Sequence, residues 1–333
     1  MLTHTHIKKT TSRAPRFAAI AAMLALLATT ACSDSKDTAN MQSTKPIQHE
    51  LVVIDEGLGT LFHLNERDPS KNWLVKNDLP AARDMQLVGG GRILIGYDKG
   101  YVEYNIADGK ELKRYDALKN VTSVRRQPDG STLIAGIDLN GKKGVCVLTL
   151  DTSDKITNTA VYEGDYVRLI RQTQQGTYLM CCNGELREAS TDGRYLKTYP
   201  VEGFRHMWKA VRLPDKRIIA SAGYGAFMVE LDQDGKVARK WGAKGQVPDG
   251  VNSNFAAMFQ LLPNGNVVLA NWQGHGPGHG ESGVQLVEYD RDGKIVWQWS
   301  KSDMISSLQG VLVLDGLDTS KLHDERDGVM KPF

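Results

Sequence analysis

This 333-residue sequence is poor in cysteine, in long apolar runs and in net charge. Beyond Cys32, only Cys146, Cys181 and Cys182 remain, so at most one disulfide can form among them and one thiol stays free. The longest apolar run, Phe17–Leu27, is too short for a permanent transmembrane helix. Glycine-rich phosphate loops and the Gly-x-Ser-x-Gly turn are absent, which excludes two common enzyme signatures.

The beginning of the chain has the composition of a secretory signal. A basic segment without acidic residues precedes the apolar run, and small residues then lead to Cys32. This order predicts a signal peptide over residues 1–31. Cys32 in this position resembles the lipobox cysteine of bacterial lipoproteins, which implies that it is lipidated. Cleavage after Ala31 with release of the protein is the alternative.

Residues 32–46 are polar and lack apolar periodicity, so we predict a flexible tether. Ser33 after the cysteine resembles lipoproteins of the outer membrane, which implies a lipid-anchored protein of the cell envelope that faces the periplasm. Loss of the leader takes four of 41 basic residues and none of 39 acidic ones, so the formal charge changes from +2 to −2. The mature chain therefore predicts no nucleic-acid partner, and membrane contact through the lipid anchor alone.

The rest of the sequence repeats a unit of four short strands. The clearest copies are Lys209–Trp241 and Met258–Trp299, and each has a turn near a proline and a second turn of the type Asp-x-Asp-Gly-Lys. Alternating apolar and polar residues between these turns predict antiparallel strands. Because a single small sheet cannot bury both faces, repeated sheets of this kind favour a radial stack, which is a β-propeller.

Five complete units and one incomplete unit can be aligned. The first segment, Leu51–Val75, has three strands, and Gln309–Leu314 near the end of the chain provides a fourth. We therefore predict an all-β, six-bladed propeller over residues 47–315, with four-stranded antiparallel blades and a C-terminal strand that closes the first blade. A seven-bladed form would require a hidden unit. Residues 316–333 mix charges and are predicted to be a tail on the surface.

One face of such a propeller carries the loops between second and third strands and those between blades, where functional residues are expected. The longest of these loops covers residues 271–283. The predicted ligand-binding residues in and beside it are Asn271, Trp272, His275, His279, Glu281, Arg205, Trp208 and Asn254. Alignment of the repeats also places His206, Arg83 and Arg168 at this end of the channel, and these are the predicted catalytic residues.

Three interpretations of this set remain open. His206, His275 and His279 could hold a divalent metal, the one cofactor that the residue types suggest. Alternatively, the indoles form an apolar platform and the arginines pair with a carboxylate, which suits a small polar ligand such as a glycan. In the third interpretation the histidines are polar loop residues that pack across the channel, and Trp208 belongs to the core.

The segments Val287–Trp297 and Leu262–Val268 resemble repeats of the arylsulfotransferase-like and pyrroloquinoline-quinone-binding-like bacterial propellers. Arylsulfotransferases use a channel histidine that takes the sulfuryl group, and the resemblance makes His206 its counterpart. Some quinoprotein dehydrogenases place a vicinal disulfide against the quinone. The resemblance implies such a disulfide between Cys181 and Cys182. From residue type alone, these cysteines are expected to be small buried apolar residues.

Three functions are compatible with these observations. The first is a lipoprotein that binds a small polar ligand, in particular a carbohydrate, at the channel mouth. The second is an enzyme of transferase, lyase or isomerase type, in which His206 is a general base or metal ligand and Arg83 and Arg168 stabilise developing negative charge. The third is a scaffold whose rim binds a protein partner in an envelope assembly.

Overall fold

A computed structural model describes residues 46–333, which form six four-stranded antiparallel sheets in a ring. The predicted fold class is confirmed. The predicted signal peptide, Cys32 and residues 32–45 of the predicted tether lie outside the described residues. Between residues 46 and 333, no helix has the length and apolar character needed to cross a membrane.

The strands of the first three blades run as follows from the innermost to the outermost. Blade 1 consists of β24 (Leu308–Val313), β1 (Glu50–Asp55), β2 (Thr60–Asn65) and β3 (Trp73–Lys76). Blade 2 consists of β4 (Asp84–Gly89), β5 (Arg92–Tyr97), β6 (Gly100–Asn105) and β7 (Glu111–Tyr115). Blade 3 consists of β8 (Val121–Arg126), β9 (Thr132–Ile137), β10 (Val145–Leu150) and β11 (Ile156–Tyr162).

The other three blades follow the same order. Blade 4 consists of β12 (Ile170–Gln172), β13 (Tyr178–Cys182), β14 (Glu185–Ala189) and β15 (Tyr195–Pro200). Blade 5 consists of β16 (Ala210–Arg212), β17 (Ile218–Ser221), β18 (Met228–Leu231) and β19 (Val237–Trp241). Blade 6 consists of β20 (Ala256–Leu261), β21 (Val267–Asn271), β22 (Leu286–Tyr289) and β23 (Ile295–Trp299).

The ring is closed by the two ends of the propeller sequence. Strand β24 pairs antiparallel with β1, with Val53 opposite Val311 and Leu51 opposite Val313. The prediction that the Gln309–Leu314 segment completes the first blade is confirmed. A single core cluster then joins blades 6, 1 and 2, with Val268, Val311 and Ile95 among its members.

The Asp-x-Asp-Gly turns follow from local hydrogen bonding. In the turn from β22 to β23, Asp290 Oδ1 accepts hydrogen bonds from the backbone N–H groups of Asp292 and Lys294, both at 2.9 Å. Gly293 adopts φ +80°, a conformation that side chains with a Cβ disfavour. A Cβ at Gly293 would also lie 2.9 Å from Cβ of Trp241 in blade 5, so this outer aromatic packs between blades.

The predicted surface tail is only partly exposed. It contains a two-stranded hairpin of β25 (His323–Asp324) and β26 (Lys331–Pro332), and Asp324 and Glu325 are 5% and 1% exposed. The tail contacts the carboxyl ends of inner strands, since Leu322 bridges to Val88 at the end of β4. It therefore covers the channel at the end opposite to the predicted ligand face.

Three buried cations hold the tail in place. Arg125 donates to Asp324 Oδ1 at 2.6 Å, Lys209 Nζ donates to Glu325 Oε2 at 2.6 Å, and Arg171 donates to both Glu325 and Asp84. Burial opposes ionisation of Glu325, but the charges of Lys209 and Arg171 outweigh it and hold its pKa well below the usual range. The charged residues of the tail predicted an exposed segment, because the cations that pair with them in the folded protein are distant in the sequence.

Candidate functional site

A cavity of about 420 Å³ lies at the amino-terminal ends of the inner strands. Arg83 directly precedes β4, Arg168 lies two residues before β12, and His206 lies four residues before β16. The remaining polar lining comes from Asp98, Asn120, Thr122 and Tyr166. The structure thus brings the three predicted catalytic residues together in one concave site.

The two arginines of this cavity lack an acidic partner. Among residues 46–333, no carboxylate lies within salt-bridge distance of Arg83 or Arg168, and the one side-chain hydrogen bond from Arg168 goes to the hydroxyl of Tyr166. Burial and the charge of Arg168 lower the pKa of Arg83 to about 10, while Tyr166, Glu56 and Asp98 act in the opposite direction. Two half-buried cations that repel each other make a site that favours an anion.

Trp208 supports Arg168 from below. The Arg168 guanidinium lies 4.7 Å from the centroid of the Trp208 ring, a cation–π distance. The indole is 3% exposed and its edge meets Phe255, so it offers no open face to a sugar ring. Its Nε1 is buried without a hydrogen-bond partner in the described chain. The predicted role of Trp208 as a direct ligand platform is thus replaced by a role under the arginine.

His206 and Tyr166 form a hydrogen-bonded pair. The Tyr166 hydroxyl lies 2.9 Å from His206 Nδ1 and accepts a hydrogen bond from Arg168 Nε at 2.6 Å. His206 adopts φ +53°, a left-handed conformation that is rare for residues other than glycine, and its backbone N–H donates to Asn183 Oδ1 at 3.0 Å. Burial, then Arg168 and Arg205, lower the pKa of His206 below its usual value.

The polar residues that begin the 271–283 loop are used internally. Asn271 Nδ2 donates to the carbonyl oxygens of Val251, Asn252 and Val284, so this amide is an anchor of the loop. Asn254 Nδ2 donates to the carbonyl oxygen of Trp272 at 3.1 Å. The predicted ligand contacts by Asn271 and Asn254 are thus structural contacts, because these amides satisfy buried backbone groups.

Trp272 also belongs to the core. Its indole is 5% exposed, and its Nε1 donates to Glu56 Oε1 at 3.0 Å and to Ser307 Oγ at 2.8 Å. These bonds attach the loop to blade 1. As with Trp208, the indole is too buried to serve as the predicted aromatic platform for a sugar.

The loop histidines lie apart from His206. His275 is exposed and pairs with Glu56 at 2.8 Å, while the ring of His279 packs beside Gly274, and Glu281 is exposed. In the part of the chain that the structure describes, no three His, Cys, Asp or Glu side chains are grouped to hold a metal ion. The predicted metal set of His206, His275 and His279 is therefore not assembled.

Tyr224 is a site residue that the sequence did not single out. Its ring is 36% exposed, meets His206 edge-on with centroids 5.6 Å apart, and lies under the Arg205 guanidinium at 4.8 Å. The signals that point to it are its place between Gly223 and Gly225 and its position after the second strand of blade 5. Tyr166, two residues before the predicted site residue Arg168, was missed in the same way.

A larger groove of about 610 Å³ lies toward the outside of blades 2 and 3, beside Tyr115 and Ile156. Its lining includes the exposed residues Lys99, Asp116 and Lys119, and the exposed Asp138 pairs with Lys143 at 2.8 Å. We favour the axial cavity because its two arginines are half-buried without an acidic partner, whereas the charged residues that line the groove are exposed to solvent.

Cys146, Cys181 and Cys182 are free thiols in the structure and all are buried. Cys181 packs with blade 5 residues such as Val229, and Cys182 packs with blade 3 residues such as Val147. Successive strand residues point to opposite faces, so the two neighbours serve two different blade interfaces. The vicinal disulfide that the quinoprotein resemblance implied is not formed, and the role as small buried residues is supported.

No protein-family model matches this chain, and no curated protein is detectably similar to it in sequence. Solved structures do share its fold. A protein of unknown function from Bacteroides caccae is 22% identical, with a TM-score of 0.65 over 81% of this chain and 99% of that chain. The WD40 β-propeller domain of Doa1 is 12% identical, with a TM-score of 0.51 over 76% of this chain and 79% of that one.

A third similar structure is a catalytically inactive virginiamycin B lyase from Staphylococcus aureus with quinupristin. It is 10% identical, with a TM-score of 0.50 over 78% of this chain and 87% of that chain. At these identities the likeness concerns the fold alone. The chain is therefore a six-bladed β-propeller, and the resemblance to arylsulfotransferase-like and quinone-binding-like repeats is supported at the level of the propeller but not of either family.

Proposed function

We propose that this protein binds a small anionic ligand, specifically a carboxylate-bearing sugar, in the axial cavity of Arg83 and Arg168. The observation that carries the proposal is the pair of guanidinium groups without an acidic partner in one concave site. Guanidinium groups form bidentate hydrogen bonds with carboxylates, and a bound anion would also relieve the repulsion between the two arginines.

The surroundings of the arginines favour a sugar over a bare ion. The cavity of about 420 Å³ lies within the size range of small-molecule sites, and Asn120 and Thr122 add polar side chains to its lining. Tyr224, which contacts His206 beside the cavity, is an aromatic residue that is 36% exposed and lies under the Arg205 guanidinium. An anionic group between the arginines with a sugar ring toward Tyr224 would satisfy both kinds of surface.

The test is calorimetric titration with methyl α-D-galacturonoside and with the uncharged methyl α-D-galactoside. We expect binding of the charged sugar alone. Arg83→Gln and Arg168→Gln should each weaken it about 10-fold to 100-fold, the range for one hydrogen bond to a charged group. Arg194→Gln is the matched control, because Arg194 is exposed and pairs with Asp192 on the same turn.

A triple variant of the loop, His275→Ala, His279→Ala and Glu281→Ala, separates this site from the one expected from sequence. None of the three residues lines the arginine cavity, so the affinity should stay within about twofold of the parent protein. Equal binding of both sugars, or loss of binding in the loop variant with retention in Arg83→Gln, would reject the arginine cavity as the site.

We also propose that Cys32 carries a lipid that anchors the protein to the outer membrane, facing the periplasm. The leader, the small residues before the cysteine and Ser33 after it support this proposal. In a bacterial host, the parent protein should sediment with outer membranes, whereas Cys32→Ser should be recovered from the soluble periplasmic fraction. An unchanged distribution of Cys32→Ser would exclude the anchor.

A further inference from the structure

The hydroxyl of Tyr166 lies between a cation and a base. Arg168 Nε, which can only donate, gives its hydrogen to the Tyr166 oxygen at 2.6 Å. The phenol proton is then directed to His206 Nδ1 at 2.9 Å. For Nδ1 to accept it, the neutral His206 ring must carry its own proton on Nε2. Tyr166 as the reactive group, His206 as the base and Arg168 as a hydrogen-bond donor thus form one chain of contacts.

We infer that Tyr166 is the proton-transfer group of this cavity, that His206 is its base, and that it acts on a carbon adjacent to the carboxylate held by Arg83 and Arg168. The inference rests on the proposed function for the identity of the ligand. Its substrate class is a uronic acid or another sugar acid with a hydrogen on the carbon next to the carboxylate.

The proton balance of the step is complete without a further reactant. His206 Nδ1 takes the phenol proton, and the Tyr166 oxygen takes the proton from the carbon. The C–H bond breaks, an O–H bond forms, and the electron pair moves onto the carboxylate between the arginines, where positive charge stabilises it. Return of a proton to the carbon, and of the second proton from His206 to the phenol, restores the starting state.

The charges around the pair suit these roles. His206 is surrounded by Tyr166, Tyr224, Arg168 and Arg205, and its lowered pKa keeps the ring neutral and able to accept a proton at pH 7. Burial raises the pKa of Tyr166 in spite of Arg168, so the resting group is a phenol that needs a base. A carboxylate bound to Arg168 would place its neighbouring carbon beside the oxygen to which the same arginine donates.

Tyr195 provides a matched control within the same chain. Its ring lies 4.4 Å from the Arg187 guanidinium, but its hydroxyl donates to the carbonyl oxygen of Glu163 rather than to a histidine. Both phenols are therefore next to an arginine, and only Tyr166 has a neighbouring base.

The first experiment measures the reactivity of both phenols with benzenesulfonyl fluoride by mass spectrometry. In this reaction an S–O bond forms at the phenol, the S–F bond breaks, and the phenol proton goes to the base. We expect Tyr166 to react at least about tenfold faster than Tyr195 at pH 7.5, because a positioned base contributes about 100-fold or more. His206→Ala should remove this advantage.

The pH profile distinguishes a base from mere exposure. Labelling of Tyr166 should be nearly constant from pH 7 to 9, because His206 is already neutral, while Tyr195 should react about tenfold faster per pH unit as phenolate forms. A Tyr166 rate that follows the Tyr195 profile, or that is unchanged in His206→Ala, would overturn the assignment of Tyr166.

The second experiment follows the H5 proton of methyl α-D-galacturonoside by NMR in D₂O, at a concentration shown by calorimetry to saturate the protein. Loss of the H5 signal with the parent protein, and not with Tyr166→Phe, is the expected result. Fast labelling without H5 exchange would overturn the carbon-acid step. Failure of the proposed function would appear separately, as absence of calorimetric binding, and would leave the labelling result unaffected.

Discussion

At the residue scale, glycine positions in the outer turns set how closely adjacent blades pack. Gly293 in blade 6 faces Trp241 of blade 5, Gly109 in blade 2 faces Trp73 of blade 1, and Gly235 in blade 5 faces Tyr199 of blade 4. In each pair a Cβ on the glycine would lie 2.9 Å or less from the aromatic residue. The repeated turn glycine thus has an interblade role in addition to its conformational one.

Gly293→Ala should therefore destabilise the protein more than an alanine at an open turn. Gly141 has a similar φ of +71°, but a Cβ at this position would have no neighbour within 4 Å, so Gly141→Ala is the control. The left-handed backbone alone costs about 1–2 kcal/mol, and crowding against Trp241 adds about 1–3 kcal/mol for Gly293→Ala alone. Urea unfolding measures the loss of unfolding free energy in both variants. Equal losses would show that the contact with Trp241 adjusts to the added Cβ without cost.

At the scale of the element, the C-terminal hairpin of β25 and β26 covers one end of the channel. Its acidic residues Asp324 and Glu325 meet Arg125, Arg171 and Lys209 on the inner side of three blades. Since these groups are nearly inaccessible to solvent, removing one charge leaves its partners unbalanced in a low-dielectric region. The tail thereby ties blades 3, 4 and 5 together.

Glu325→Gln should lower the free energy of unfolding by about 3–5 kcal/mol, the usual cost of breaking a buried ion pair. Asp318→Asn is the control in the same tail, because Asp318 is exposed and contacts Ser320 and Lys321 nearby. Thermal unfolding by circular dichroism compares the two. A loss below about 1 kcal/mol for Glu325→Gln would contradict the role of this network in holding the tail.

At the scale of the whole molecule, His49 joins the first and last blades at the point of closure. Its Nδ1 lies 2.5 Å from Asp315, which follows β24, and its Nε2 lies 3.0 Å from Glu288 in blade 6. Burial opposes its protonation, but hydrogen bonds with Asp315 and Glu288 outweigh it and raise the pKa of His49 to about 9.

This raised pKa predicts a loss of stability in mild alkali. A folded-state pKa above the unfolded value means that the stabilisation is complete below about pH 6.5 and disappears as the pH rises through 9. The full contribution is about 3 kcal/mol. Urea unfolding between pH 6 and 9.5 should show this decrease in the parent protein and not in His49→Gln, and the same slope in both would exclude His49 as its source.

The sequence determined the architecture because a propeller blade is a local object. Alternation, turn residues and repeat length specify each sheet from neighbours in the chain, and the missing strand of the first segment implied the closing pair of β24 with β1. The alignment of repeats likewise brought Arg83, Arg168 and His206 to one end of the channel. These positions follow from strand order, which the repeat fixes.

Only the tertiary structure decided how the side chains are used. Tyr166 meets His206 across 40 residues and Glu325 meets Arg171 across 154 residues, so no local pattern reveals either contact. The indoles of Trp208 and Trp272 look like ligand platforms in the sequence, but packing covers them and leaves Tyr224 open. Burial and pairing depend on which distant groups share the same space, and for this protein that decides which charges remain available to a ligand.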